Sequence, residues 1–170
     1  MPTPTYTLIE AVTLATSASS VTFSSIPTDG TYRDLVLVSS AKSDTVGYSI
    51  RGQINGDTGS NYNRVTMYGT GSGTGSGTTA SFYALAFSAS GNLSTVNFDL
   101  MKIEFMDYSA TKHKAVLSRS QNSDASFSSV DAVAHRWAST SAITSVSLFL
   151  SGAGNNFVAG STFSLYGIAG

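Results

Sequence analysis

Val46-Gly-Tyr48-Ser-Ile50-Arg-Gly-Gln-Ile54-Asn55-Gly56-Asp57-Thr58-Gly59-Ser-Asn-Tyr62-Asn-Arg-Val-Thr-Met-Tyr68 is the stretch whose reading decides the fold. Its first part alternates, with Tyr48 and Ile50 against Ser49 and Arg51, and a period of two is the mark of a half-buried strand. Asn55-Gly56-Asp57-Thr58-Gly59 then forms the strongest turn signal in the chain, because an Asn-Gly pair accepts positive φ at both central positions. A second strand-like run, 62–68, leads out of the turn.

Toward the N-terminus, Leu35-Val36-Leu37-Val38 has no polar face, which predicts a strand in the middle of a sheet, covered on both sides. Pro27-Thr28-Asp29-Gly30 supplies turn chemistry before it, and Val21 and Phe23 flank Thr22 before that. Tyr6, Leu8, Glu10, Val12 and Leu14 alternate with Thr7 and Thr13, although Ile9 and Ala11 interrupt the pattern. Toward the C-terminus, residues 69–80 (GTGSGTGSGTTA) place glycine at every odd position through Gly77. With so few side chains to pack, this segment is expected to be a flexible surface loop. Strand-like runs resume at 82–87, 96–105, 114–119, 130–137, 143–150 and 163–168. The spacers between them include Ser90-Gly91-Asn92 and residues 152–156. No long window carries a 3.6-residue stripe; residues 132–137 come nearest. About ten short strands predict an all-β fold, a two-sheet antiparallel β-sandwich of the jelly-roll kind. The expected organisation is one domain over 1–170, with residues 1–20 an N-terminal arm, a strand plus hinge able to exchange with or dock on a neighbour.

Composition narrows the function classes. Of 170 residues only 11% are charged, the net charge is −1, and cysteine is absent. That excludes a disulfide scaffold, a thiolate metal site and a thiol nucleophile. Nine scattered cations are too few and too dispersed for sequence-independent nucleic-acid binding. The start of the chain has neither a basic nor an apolar signal region, and no apolar run reaches membrane-spanning length, so the expectation is a protein made in a cytoplasm without a signal peptide. Fifty serines and threonines supply the polar half of the strand pattern in place of charge.

Motifs for chemistry are missing. Gly77 is followed by Thr78-Thr79 where a phosphate loop needs lysine and a hydroxyl. Ser72 and Ser76 sit beside glycines, which does not fit a nucleophile elbow. His113 and His135 are isolated, which gives no zinc spacing. Glu104 and Asp107, the closest acidic pair, are three apart on a strand and face opposite sides, whereas glycoside hydrolysis needs two carboxylates facing one substrate; a distant partner such as Asp34 or Asp131 is left open. The chain therefore reads as no enzyme, with no cofactor and no metal. Asn55, Asp57 and Asn61 have oxygens at a spacing calcium can use, but they lack the glycine and distal carboxylate of an EF-hand and are ordinary turn residues. Trp137 with Tyr62, Tyr68 and Tyr83 offers aromatic faces on which a sugar ring could stack, against the plainer role of core packing.

Sheet proteins protect their edges with lysine, proline or inward charge. Here the strand faces are Ser, Thr and Ala, which points to edges or faces buried in a symmetric assembly, or else covered by the protein's own loops. Tyr6, Leu8, Val12 and Leu14 of the arm are the expected interface residues.

Five blocks in order carry a resemblance: residues 5–27 (TYTLIEAVTLATSASSVTFSSIP), 32–38 (YRDLVLV), 54–62 (INGDTGSNY), 137–145 (WASTSAITS) and 160–168 (GSTFSLYGI). Together they resemble a family of small β-rich virion proteins of tailed bacteriophages. The resemblance implies a jelly-roll-like sandwich on the outside of a particle, without catalysis. The expected function is a capsid decoration or cement protein that stabilises the mature shell. Its partners would be its own copies, preferably as a trimer, and the major capsid protein, with no nucleic acid and no membrane. The alternative is a tail or head-fibre module that recognises a host-surface glycan through Trp137, Tyr62, Tyr68 and Tyr83.

Overall fold

The computed structural model describes residues 5–87, 93–123 and 128–170; residues 1–4 of the expected arm and the Ser90-Gly91-Asn92 spacer lie outside the described residues. Twelve strands follow one another: β1 (Tyr6–Thr13), β2 (Ser20–Phe23), β3 (Asp34–Ala41), β4 (Ile50–Ile54), β5 (Tyr62–Thr70), β6 (Gly73–Phe82), β7 (Leu85–Ala86), β8 (Asp99–Met106), β9 (Lys114–Ser123), β10 (Ser128–Trp137), β11 (Val146–Leu150) and β12 (Thr162–Ile168). They form an eight-stranded sheet, β1-β12-β3-β8-β9-β10-β5-β6, and a four-stranded sheet, β2-β11-β4-β7. Every pairing is antiparallel. The protein is an all-β, two-sheet antiparallel sandwich, as the alternating runs predict.

The core lies between the sheets. Phe23, Ile50, Ile54, Val146 and Leu148 of the small sheet pack in one cluster with Leu35, Leu37, Ile103, Phe105, Phe163 and Leu165 of the large one. The run at 35–38 is placed as its composition requires: β3 lies between β12 and β8, and Leu35, Val36 and Leu37 are all buried. The chain crosses between sheets at β1/β2, β2/β3, β3/β4, β4/β5, β6/β7, β7/β8, β10/β11 and β11/β12, while the pairs β5/β6 and β9/β10 both widen the large sheet. The Asn55-Gly56 turn has positive φ at both residues, 52° and 67°, and Asp57 N closes it on Ile54 O at 2.9 Å. It joins β4 in the small sheet to β5 in the large one, so it reverses the chain between layers.

Residues 69–80, expected as a flexible loop, are instead the end of β5 and most of β6, a hairpin with its turn at residues 71–72. Strand pairing is a backbone property, and the β5 register runs Met67↔Ser76, Tyr68↔Gly75 and Gly69↔Thr74. The glycines also have a packing role. The Tyr68 ring lies over Gly75 so closely that a Cβ there would stand 2.5 Å from the ring, an aromatic cover over a strand glycine. Residues 46–49, expected to open a strand, precede β4.

Candidate functional site

Alternation assigns each strand residue to a face, and cross-strand partners share it. On the side of the large sheet away from the core stand Tyr6 and Leu8 of β1, Leu100 and Met106 of β8, Val130 of β10, and Val65 and Met67 of β5. These are seven of the eleven exposed large apolar side chains among the described residues. Ala115 of β9 and Ala134 of β10 lie exposed on the same face. Charge on it is carried by Lys102 and Glu104, which pair with each other at 2.7 Å, by exposed Arg119 opposite Lys102, and by Arg136, whose Nη2 donates to Asn63 Oδ1 at 3.3 Å. Beside Val65 and Ala134 the face dips into a concavity of about 400 Å³, lined also by Thr78, Ala80 and Arg136.

The expected interface set divides between two faces. A bulge between Leu8 and Glu10 shifts the β1 register. Tyr6 and Leu8 therefore point outward, 50% and 53% exposed, and Tyr6 meets Tyr166 edge-on at 6.4 Å. Val12 and Leu14 turn in against the core with Ile9. The interruption at Ile9 in the sequence is this bulge. The arm is docked on its own sheet through β12, and the expected hinge is tied down. Ala18 and Phe157 exchange backbone hydrogen bonds in both directions, at 3.0 and 2.8 Å. Among the described residues the large sheet has two open edges, β1 and β6; neither carries lysine or proline.

The aromatic residues expected to stack on a sugar do not come together, and two of them are corrections. Trp137 is 2% and Tyr62 1% exposed, paired across β10 and β5, so neither presents a ring to a ligand. Trp137 Nε1 donates to Asp57 Oδ2 at 2.7 Å. Tyr62 Oη accepts from Ile54 N and donates to Asp57 O, both at 3.0 Å. Burial pushes the Tyr62 hydroxyl up to about 12. Burial also pushes the Asp57 carboxyl up, but the hydrogen bonds from Trp137, Asn61 and Gly59 outweigh it and hold the group below its ordinary value. Tyr68 is half-buried over Gly75 at the other end of β5. Only Tyr83 of the four is exposed, at 43%.

Asn55, Asp57 and Asn61 spend their oxygens on this same corner. Asn55 Oδ1 accepts from Thr144 N at 2.8 Å and Ser145 N at 3.0 Å. Asp57 Oδ1 accepts from Gly59 N, and Asn61 Nδ2 reaches both carboxylate oxygens. Asn55 thus points to residues 142–145, away from Asp57, and the three do not converge on a common centre. Among the described residues no cluster of three or more His, Asp or Glu could hold a metal. The acids considered for catalysis are engaged as well. Glu104 holds Lys102. Asp107 holds Lys112 at 2.6 Å, which keeps its carboxyl below the ordinary range. Asp34 holds Arg33 and accepts from Asp107 N, and Asp131 accepts from Ser129.

No protein-family model matches the chain, and no curated protein matches it. The surface that the geometry itself singles out is the outward face of the large sheet with its two open edges. The sequence held a signal for it in Val65, Met67 and Val130, at alternate positions facing a strand's second side. It was hidden because a period of two does not say which side is the core.

Proposed function

We propose that the protein is a non-enzymatic virion structural protein, an accessory subunit that decorates the shell of a tailed bacteriophage. In this reading the outward face of the eight-stranded sheet lies on the major capsid protein. The open edges β1 and β6 join copies of the chain into a trimer at the virion surface. The observation that carries it is the gathering of Tyr6, Leu8, Val65, Met67, Leu100, Met106 and Val130 on one side of one sheet, exposed together. Large contiguous apolar patches on soluble proteins mark interaction sites. Eight strands about 4.8 Å apart and about seven residues long span roughly 900 Å², which compares with the roughly 800 Å² that each partner contributes to a standard interface.

Two further points support the reading. Taken as a jelly roll, the order β1-β12-β3-β8 over β2-β11-β4-β7 is eight strands widened by two inserted hairpins, and capsid proteins are among the users of that architecture. Of the five sequence blocks that resemble phage virion proteins, 5–27, 32–38 and 160–168 carry β1, β2, β12 and much of β3, and 54–62 and 137–145 are the connections β4/β5 and β10/β11. A shell gains stability from a subunit that binds only its mature lattice, by the mass action through which any ligand stabilises the state it binds. The glycan-recognition alternative has lost Trp137 and Tyr62 to the core, and no observation favours it.

The test is the copy number of this chain relative to the major shell subunit in purified particles, by quantitative mass spectrometry. A ratio near parity, or a simple lattice fraction of it, is the expected result. A trace amount would place the chain in a tail or fibre and overturn the decoration reading.

A further inference from the structure

Among the described residues, one place on the sandwich gathers cations without acids. Thr79, Arg64 and His135 form one row across β6, β5 and β10 and so share the inward face. Arg64 Nε donates to Thr79 Oγ1 at 3.3 Å, and Arg64 Nη1 reaches Ala86 O at 3.5 Å. Arg51 arrives at the same place from β4 in the other sheet. Its Cζ lies 5.0 Å from the centroid of Phe82 and 5.3 Å from that of Tyr83, and Arg64 Cζ lies 5.6 Å from the same Phe82 centroid. Arg51 also donates to Tyr83 Oη. Two guanidiniums thus share one ring.

Neither has a carboxylate. The ion pairs among the described residues use Arg33, Lys102 and Lys112. Two polar atoms here are buried without a hydrogen-bond partner, Arg51 Nε and His135 Nε2, and His135 is 6% exposed. Buried polar groups in folded proteins are normally satisfied. Burial first, and then the charge of Arg51, draw the Arg64 guanidinium below its ordinary value. Burial first, and then Arg64, push the His135 imidazole down to about 3. The cluster is a site of uncompensated positive charge.

We propose that Arg51 and Arg64, with Thr79 and His135 beside them, form a binding site for an oxyanion, a carboxylate or sulfate group held between the two guanidiniums at the Phe82 edge of the sandwich. A guanidinium presents a planar fork of N–H donors that matches two oxygens of such a group. Arg64 commits only part of its donors to Thr79 and Ala86, and both arginines are half-exposed, so donors and access remain. The faces of Phe82 and Tyr83 are already covered by the arginines and by each other, with centroids 4.7 Å apart. The site therefore recognises the anionic group and not a ring that bears it.

The chain has two histidines, and His113 is exposed, which gives a built-in reference. Imidazole resonances of the intact protein are followed by NMR at constant ionic strength while sodium sulfate, sodium glucuronate or glucose is added. Sulfate and glucuronate should move the His135 signals saturably and leave His113 unmoved, and glucose should move neither. Arg51→Gln and Arg64→Gln should each weaken binding at least tenfold. The half-exposed Arg51 keeps the test valid if the Arg64 variant does not fold. Glucuronate binding tenfold tighter than sulfate would identify an acidic saccharide as the source of the group; sulfate equal or tighter would identify a free inorganic anion. Absence of a saturable His135 shift with both anions, or an equal shift of His113, overturns the site.

Discussion

The two halves of the large sheet differ in what their inward faces carry. In β3, β8 and β12 the inward residues include Leu35, Leu37, Met101, Ile103, Phe105, Phe163 and Leu165, packed against the small sheet. In β9, β10 and β5 the corresponding positions include Lys114, Ser118, Ser120, Asn122, Ser129, Asp131, His135, Arg64 and Thr66. Only Val116, Val133, Trp137 and Tyr62 continue the apolar core. The difference follows the partner layer. Where a second sheet covers the face, burial of hydrocarbon holds it. Where the second sheet ends at the two-residue β7, hydrogen bonds replace it, as when Thr66 Oγ1 donates to Gly77 O and the Ser118 and Ser120 hydroxyls donate to Phe87 O. One sheet is stabilised by two kinds of force along its width.

Truncation in the covered half should have the largest effect. Phe163→Ala, at a position with no exposure, is expected to cost about 3–5 kcal/mol in chemical denaturation. Thr66→Ala in the other half should cost about 1 kcal/mol. Equal losses would mean that the two halves are held alike.

Acid should separate the halves through His135. Its native pKa of about 3 lies below the ~6.5 of an unfolded histidine, so the unfolded chain binds the extra proton. The contribution is complete above about pH 6.5 and is lost as pH falls toward about 3, by ~1.4 kcal/mol per pH unit. His135→Leu should flatten that slope, with Trp137 fluorescence as the readout, and a slope that persists would remove His135 as its cause.

Asp57→Ala should cost about 2 kcal/mol, because it leaves the buried Trp137 Nε1 without its charged acceptor. It should also red-shift the tryptophan emission. The smallest effect on stability is expected on the outward face. Met67→Lys, at a residue 62% exposed, should stay within ~0.5 kcal/mol of the parent yet, on the proposed decoration function, sharply reduce incorporation into particles. Unchanged incorporation would count against that face as the docking surface.

The contrast also shows what a sequence can and cannot reveal. Leu35-Val36-Leu37-Val38 needed no knowledge of its neighbours, since an apolar run with no polar side has one comfortable place in a sheet. Asn55-Gly56 was similarly local, because the conformation is set by the two residues themselves. The Gly-Ser-Thr segment was misread because side-chain periodicity is silent where there are few side chains, and β5 supplies the pairing. Trp137 left two readings open, a platform or a core residue, because its acceptor, Asp57, is remote in sequence. The cluster at Arg64 escaped notice for the same reason. Its members come from β4, β5, β6 and β10, and no spacing in the chain brings them together.

The position of β12 has a bearing on how the molecule is made. Its neighbours are β1 on one side and β3 on the other, and Tyr6 of β1 pairs with Ile168. The first strand thus has no seat in its sheet until the last one has been synthesised, and nearly the whole chain must be looped before that edge can zip. Such distant pairings fold slowly, in milliseconds to seconds. During that interval β1 is an unattached strand, and only the tether to its own β12 favours that partner over the β12 of a neighbour.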